Sequence, residues 1–438
     1  MVLTKIRNIL VSRSHRIPLP VARALSRIAF RISSRPHVAS APNPRRFGPV
    51  QILPFKNGAK GALCISADFE LSWAWRFARR LPKVDMGKRE RQNVPKLVRL
   101  FDDYSVPVTW ATVGHLFLES CQRGPKGLPH PEMLRPAFFK NREWIFQQGD
   151  WYQHDPCTDY RKSPTWYAPD LINLILGSGT SHEIGTHTFS HIDFSDQNCP
   201  PELAEQEIQK CIEVMEPFGL RPRSVVFPGG TCGNFETLEK LGCVAVRSRQ
   251  PDDEAELSYP QNLGNHLWNI PASLVVEKRR HWDNPYAVWR INRYIQTAID
   301  QNSVCHLWFH PSLDPEVISE ILPNVLDFAI RKRQEGSLWI ATIGEIADYC
   351  QARTTTCVTI QERGSETCLT ISPKQSIYPG EKSELTLSFE YPFSKSLSEI
   401  KKEDQQIPFS VRVGPKGEVN IVTFNIDPEE SVVKPYFA

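Results

Sequence analysis

The feature that most limits what this chain can fold into is a change of period that recurs from about residue 60 to residue 352. Short apolar runs of strand length give way to helical spacing and then return. "GALCISADFE" (61–70) begins as a buried strand, "NVPKLVRLFDDY" (93–104) carries Val94, Leu97, Leu100 and Phe101 at helical intervals, and "VPVTWATVG" (106–114) is a strand again. Further strands are expected at 182–187, 224–228, 243–248, 303–310 and 338–343, and helices at 201–217, 286–300 and 315–334. Strands that alternate with helices at this pace run parallel and are joined by helical crossovers. Seven or eight such units favour closure, so the expected class is α/β, a distorted (β/α) barrel of about seven strands.

After residue 353 helical spacing disappears. "CVTIQ", "CLTIS", "ELTLSFEY", "FSVRVG" and "VNIVTFNI" alternate apolar and polar residues, punctuated by turn signals such as Gly414-Pro415-Lys416-Gly417. A small all-β, sandwich-like accessory domain is expected over 353–438. It holds no histidine, which points to a structural or binding role rather than a second reaction centre. The barrel is assigned to 51–352 and a basic segment to 1–50, a division in keeping with 438 residues.

Residues 1–46 hold ten Lys or Arg and no Asp or Glu; against an overall +3, the remainder carries −7. Nothing in that mildly acidic body argues for a nucleic-acid partner. Arg23, Arg27, Arg31 and Arg35 recur every four residues, with Leu25, Ile28, Ala29 and Ile32 on another side of the same helix. Four readings stay open: peripheral contact with an anionic membrane surface, a transit-peptide-like segment, a helix that docks on the body, or a plain disordered tail. No apolar run approaches the ~18 residues of a membrane span, and Arg13, Arg16, Arg23 and Arg27 interrupt every candidate signal core. The expected location is cytoplasmic, with membrane contact confined to the N-terminal helix. The eleven cysteines are scattered without a CxxC, so neither a zinc ribbon nor a redox pair is written in them. Cys357 and Cys368 flank a possible hairpin at which they could pair.

"HEIGTHTFSH" (182–191) concentrates three histidines and a glutamate. The helical HExxH pattern fails, because His182 and His187 are five apart and five residues turn the second imidazole off the first one's face. His187 and His191 are four apart, and one helical turn from His187 would aim both at one point. Asp68 and Glu70 in "SADFE", and His310 in "LWFHP", also close their strands, at the rim where parallel barrels assemble their chemistry. Two imidazoles and one carboxylate leave an open metal position for water, as in catalytic zinc sites. A second carboxylate and a third histidine remain as base and acid.

These motifs resemble the polysaccharide deacetylases of carbohydrate esterase family 4, the NodB homology domain, over roughly 60–350. The resemblance implies Asp68 as base and His310 as acid. Glu70, His187 and His191 would then hold a divalent metal, zinc foremost, with cobalt or nickel also admissible. It further implies hydrolysis of an N-acetyl group on an amino sugar, or on a small or lipid-linked saccharide precursor. Two departures stand out. The first motif has one residue between its carboxylates where the family usually has none. "VVFPGG" (225–230) lacks the family's Arg beside Pro228, a cation that Arg247 on the next strand is placed to replace. Trp151, Tyr167 and Arg247 are expected at the substrate, the first two from an aromatic-rich insertion at 119–167. Two alternatives remain: a non-catalytic carbohydrate-binding barrel, favoured by the missing Arg, and a hydrolase of a non-sugar C–N amide bond. Nothing in the sequence gives the oligomeric state.

Overall fold

The fully buried run Gly61–Phe69 lies within a curled, mostly parallel sheet. In the computed structural model the described residues are 18–33, 37–79, 85–249, 256–279, 282–363, 366–374, 379–392, 394–413 and 419–437. The sheet runs Trp268–Asn269, Ala245–Arg247, Ser224–Val226, Glu183–Thr186, Thr109–Thr112, Gly61–Phe69, Val304–Phe309, Leu274–Val275, all parallel; Gln261–Asn262 adds an antiparallel edge. Opposite Val304–Phe309, residues 61–64 pair with Leu338–Ala341 and residues 66–69 with Thr109–Thr112. Helices Met86–Asp103, Pro169–Leu176, Pro201–Met215, Asn284–Asp300 and Leu322–Gln334 fall between strands, as the change of period requires.

The two edges of the curl are tied by one passage of chain. Trp268, Ile270 and Ala272 donate backbone N–H bonds to Val244, Val246 and Ser248, after which Ser273 and Val276 donate to His306 and Trp308 on the opposite edge. The result is a half-barrel whose sides are joined by the segment 268–276.

Strand side chains alternate between faces, and that parity sorts the core. Leu63, Ile65, Ala67 and Phe69 enter the large cluster under the helices, while Ala62 and Cys64 join Ala111, Val226, Ala245, Val304 and Ala341 in a smaller inner cluster. Continuing the inner parity puts Ser66, Asp68 and Glu70 on one line, His306, Trp308 and His310 on the next, and Arg247 and Arg249 beyond Ala245. Small residues fill the inside at one end, and polar ones take over at the rim.

The C-terminal region forms two antiparallel sheets. One contains Thr356–Arg363, Glu366–Pro373, Leu397–Lys402 and Ser431–Phe437; the other contains Leu385–Pro392, Phe409–Val413 and Val419–Ile426. The second sheet also takes in Arg45–Phe47 and Val50–Ile52, the latter paired with Leu387–Phe389. Residues 45–52, which straddle the expected boundary between basic segment and barrel, thus supply two strands to the C-terminal sheet. Cys357 stands opposite Ser372 and Cys368 opposite Gln361, so the strand register keeps the two cysteines apart, and both are free thiols.

The N-terminal helix spans Leu19–Ser33 and rests on the body through Arg27, which pairs with Asp283 at 2.6 Å and lies over the Tyr286 ring. Arg13, Arg16, Arg35 and the turn at 414–417 lie outside the described residues. Among the described residues no helix is long and apolar enough to cross a membrane.

Candidate functional site

Three strand ends bring the expected residues together. His187 Nε2 lies 2.8 Å and His191 Nε2 3.1 Å from the same oxygen, Glu70 Oε1, and His310 Nε2 lies 3.6 Å from Glu70 Oε2. The single residue between Asp68 and Glu70 keeps both carboxylates on the inner face while Phe69 turns into the core. Adjacent carboxylates on a regular strand would face opposite ways.

His187 and His191 converge by a route other than a helical turn. The strand ends at Thr186, and the chain then bends, with Thr188 at φ 60° and His191 at φ 54°. Glu207 holds the bend by accepting the Ser190 N–H at 2.8 Å and the Ser190 hydroxyl at 2.6 Å. His182 and Glu183 serve elsewhere. His182 Nδ1 accepts the Val108 N–H, and burial lowers its pKa to about 4. Glu183 accepts the Thr109 hydroxyl and the Gly344 N–H.

The donor set passes a simple test for a cation. His187 Nδ1 is 2.7 Å from the Val226 carbonyl oxygen, which can only accept, so that nitrogen carries the ring proton and Nε2 presents a lone pair. That lone pair meets a carboxylate oxygen at 2.8 Å. Two acceptors attract at this distance only with a proton or a cation between them. Burial holds the His191 pKa down to about 4, so its imidazole is neutral near neutral pH. Neutral imidazoles and an ionised carboxylate are the forms that bind divalent metals.

Arg247 meets Asp68 in a two-pronged ion pair, NH1 to Oδ1 at 2.6 Å and NH2 to Oδ2 at 2.7 Å, with both side chains 4% exposed. Burial alone would raise the carboxyl's pKa, but the charge and hydrogen bonds of Arg247, with smaller contributions from the neighbouring histidines, hold Asp68 below its ordinary value. The cation missing beside Pro228 is therefore present on the neighbouring strand. Its NH1 also donates to Ser66 Oγ at 2.9 Å, Ser66 Oγ lies 2.9 Å from His306 Nε2, and His306 Nδ1 donates to the Ile270 carbonyl. His306 is neutral, its pKa lowered to about 3 by burial first and by Arg247 second. That chain of bonds fixes the guanidinium's plane.

A cavity of 660 Å³ opens over this cluster, lined among others by Trp75, Trp144, Trp308, Arg79 and Arg249. Gly229, at φ 59°, forms part of its wall where a Cβ would come within 2.9 Å of the Trp144 ring, a position only glycine fills without strain. Arg247 lines the cavity while bound to Asp68, so its guanidinium is committed to the carboxylate before any substrate arrives. Trp151 and Tyr167 do not line it. Trp151 is buried against Phe77 and donates to Ser190 Oγ; Tyr167 is buried and donates to Asp155. Their rings close the insertion onto the barrel, because a long loop must bury apolar surface of its own to stay ordered. Trp144, packed edge-on against His191, is the insertion's aromatic at the site.

Glu90 escaped the sequence reading. It sits among charged residues of Met86–Asp103 that read as a solvated helix face, yet it is buried and accepts the Glu70 N–H at 2.8 Å. Burial first, and Glu70 second, raise its pKa well above the ordinary carboxylate value. Glu90→Gln keeps an acceptor and is expected to be nearly neutral. Glu90→Ala strands the Glu70 N–H and is expected to cost about 1–3 kcal/mol in urea unfolding.

Fold and site together define a class: an α/β half-barrel carrying two histidines and a carboxylate, grouped as a candidate cation site, beside a clamped aspartate and a third histidine. Residues 83–242 match the family model described as Polysaccharide deacetylase, which bears out the resemblance over that stretch. The matched stretch contains His187, His191 and Pro228, but neither Asp68, Glu70 nor His310. Two similar solved structures bear the polysaccharide deacetylase name. One, from Mycobacterium smegmatis, is 15% identical (TM-score 0.47, covering 73% of this chain and 99% of that one). The other, from Pseudomonas aeruginosa PAO1, is 14% identical (TM-score 0.45, covering 67% and 92%). Puue allantoinase is also similar, at 14% identity (TM-score 0.43, covering 67% and 91%). No curated protein matches. The family match supports a deacetylase-type hydrolase.

Proposed function

We propose that the chain is a metal-dependent hydrolase that removes an N-acetyl group from an amino sugar, free or within a lipid-linked saccharide. The observation that carries this reading is Glu70 Oε1 standing 2.8 Å from His187 Nε2 and 3.1 Å from His191 Nε2, with Asp68 and His310 alongside. Glu70, His187 and His191 would hold a divalent metal, zinc foremost. When bound, it supplies Lewis-acid polarisation and a lowered pKa for water.

The chain's own residues do the rest. Asp68 takes the proton of the attacking water; each of its oxygens keeps a lone pair beyond the one given to Arg247, and the clamp keeps the carboxylate ionised. His310, held between Trp75 and Trp308, reaches into the cavity and donates a proton to the departing amine nitrogen, which would otherwise leave as an amide anion. A cavity of 660 Å³ falls in the range of small-molecule sites, and the faces of Trp75, Trp144 and Trp308 suit a sugar ring. The arginine missing beside Pro228 favoured a non-catalytic barrel. Arg247 on Asp68 removes that support. Contact with an anionic membrane through the N-terminal helix belongs to the same reading, supported by exposed Leu19, Val21 and Ile28.

Elemental analysis of the purified chain beside a His187→Ala, His191→Ala double variant tests the assignment, with acetate release from N-acetylglucosamine derivatives assayed on the same samples. A metal content lower in the variant by one ion per chain, together with acetate release by the parent that the variant lacks, is the expected result. Turnover of a cyclic amide in place of the acetamido sugar would move the substrate to a non-sugar C–N bond. Equal metal and equal activity in both proteins would sink the site.

A further inference from the structure

A second group of metal-binding side chains lies away from the cavity, within the aromatic insertion. His115 sits in the turn Gly114–Phe117 that follows the strand Thr109–Thr112, and Cys121, His130 and Asp155 come from the loops beyond it. His115 Nε2 and His130 Nε2 lie 3.0 Å apart, and 3.0 and 2.9 Å respectively from Asp155 Oδ2. Cys121 Sγ lies 3.1 Å from the same oxygen. His115, His130 and Asp155 are buried and Cys121 is half-buried.

His115 Nδ1 faces the Trp166 carbonyl oxygen at 3.2 Å and must donate to it, which leaves Nε2 a bare lone pair pointed at a carboxylate. His130 Nδ1 stands 3.5 Å from Glu132 Oε1, and its Nε2 faces Asp155 Oδ2. The other oxygen of Asp155 is already engaged, accepting the Tyr167 hydroxyl at 2.7 Å and the Cys157 N–H at 2.9 Å. Two imidazole nitrogens, a thiol sulfur and a carboxylate oxygen therefore converge, and His115 Nδ1 and Asp155 Oδ1 are tied back as ligating groups are, by a carbonyl on one side and by a hydroxyl and an N–H on the other. Around tetrahedral zinc, with zinc–nitrogen bonds of about 2.0–2.1 Å, neighbouring nitrogen or oxygen donors stand about 3.3 Å apart. The observed 2.9 and 3.0 Å spacings need shifts of only a few tenths of an ångström.

We propose that His115, Cys121, His130 and Asp155 form a second, structural metal site that takes zinc with four protein ligands. Four ligands leave no position for water, so the site does no chemistry. A thiolate and a carboxylate balance the charge of Zn²⁺, so the loaded site is neutral, and a neutral site is far cheaper to bury than an uncompensated charge. Its consequence is mechanical. It pins both ends of the insertion that carries Trp144 to the cavity wall, and it gives Tyr167 a role outside substrate contact.

The test does not depend on the reading of Glu70, His187 and His191. Full-length protein carrying His187→Ala and His191→Ala is stripped with chelator and reloaded with zinc or with cobalt(II). The expected result is one tightly held metal per chain, with a near-ultraviolet thiolate-to-cobalt charge-transfer band, which a two-histidine, one-carboxylate site cannot produce. Cys121→Ser is expected to remove the band. Should the histidine variant fold poorly, the band is read on the parent protein, whose only described cysteine in a metal-binding group is Cys121. No charge-transfer band at saturating cobalt in folded protein would overturn the proposal and leave a hydrogen-bonded cluster.

Discussion

His310→Ala is expected to lower kcat for N-acetyl hydrolysis by about 10²–10⁴-fold while bound metal stays at the parental level, the range lost with a general acid. The effect falls on kcat because a protonated imidazole matters most when the C–N bond breaks and the amine must leave. Its place supports this assignment: His310 follows the strand Val304–Phe309 on the inner face, is half-buried beside Trp75 and Trp308, and lines the cavity. Its Nε2 is also 3.6 Å from Glu70 Oε2, near enough that a role as a further ligand would give a different result. In that case metal content would fall along with activity. An amide with a better leaving group separates the two, since the acid's contribution shrinks when the departing nitrogen needs less protonation, whereas a lost metal impairs every substrate alike.

Arg247→Ala carries the largest expected loss of stability, about 3–5 kcal/mol, because it leaves the Asp68 carboxylate buried without its partner. The sign of its pH dependence follows from the depressed pKa of Asp68. The ion pair contributes fully above the carboxyl's ordinary pKa and is lost as pH falls through the lower value of the folded state. The gap between parent and variant should therefore be widest near neutral pH and close in acid, as urea midpoints across a pH series would record. A double-mutant cycle with Asp68→Ala isolates the pair, because removing both charges should recover part of the loss. A gap independent of pH would mean that Arg247 stabilises through its packing over Trp308 instead. Activity is expected to fall too, and Arg247→Lys should restore charge without the two-pronged geometry.

Much of the architecture was legible because period reports burial directly. Val94, Leu97 and Phe101 are buried on the helix Met86–Asp103, and the strands expected at 224–228, 243–248 and 303–310 appear, trimmed at their ends. Strand tips were the least legible part, since ladder bonding rather than residue type decides where a strand stops. The pairing of Val50–Ile52 with the C-terminal sheet was beyond reach, because it joins segments more than 300 residues apart in sequence. The same limit hid the cluster in the insertion. His115, Cys121, His130 and Asp155 have irregular spacing, and no local period announces that they meet.

By itself the sequence determined the α/β class, the all-β C-terminal region and the roster of Asp68, Glu70, His187, His191 and His310, since strand parity and strand ends are properties of a few consecutive residues. Tertiary structure alone decided the partners. It turned Glu90 inward to hold Glu70, sent Trp151 and Tyr167 into the core, left Trp144 at the cavity and closed Arg247, offered by the sequence as the substitute cation, on Asp68. The physical reason is that charge and aromaticity state what a side chain is able to do. Burial and the nearest opposite group, which depend on every crossover in the fold, fix which of those things it does.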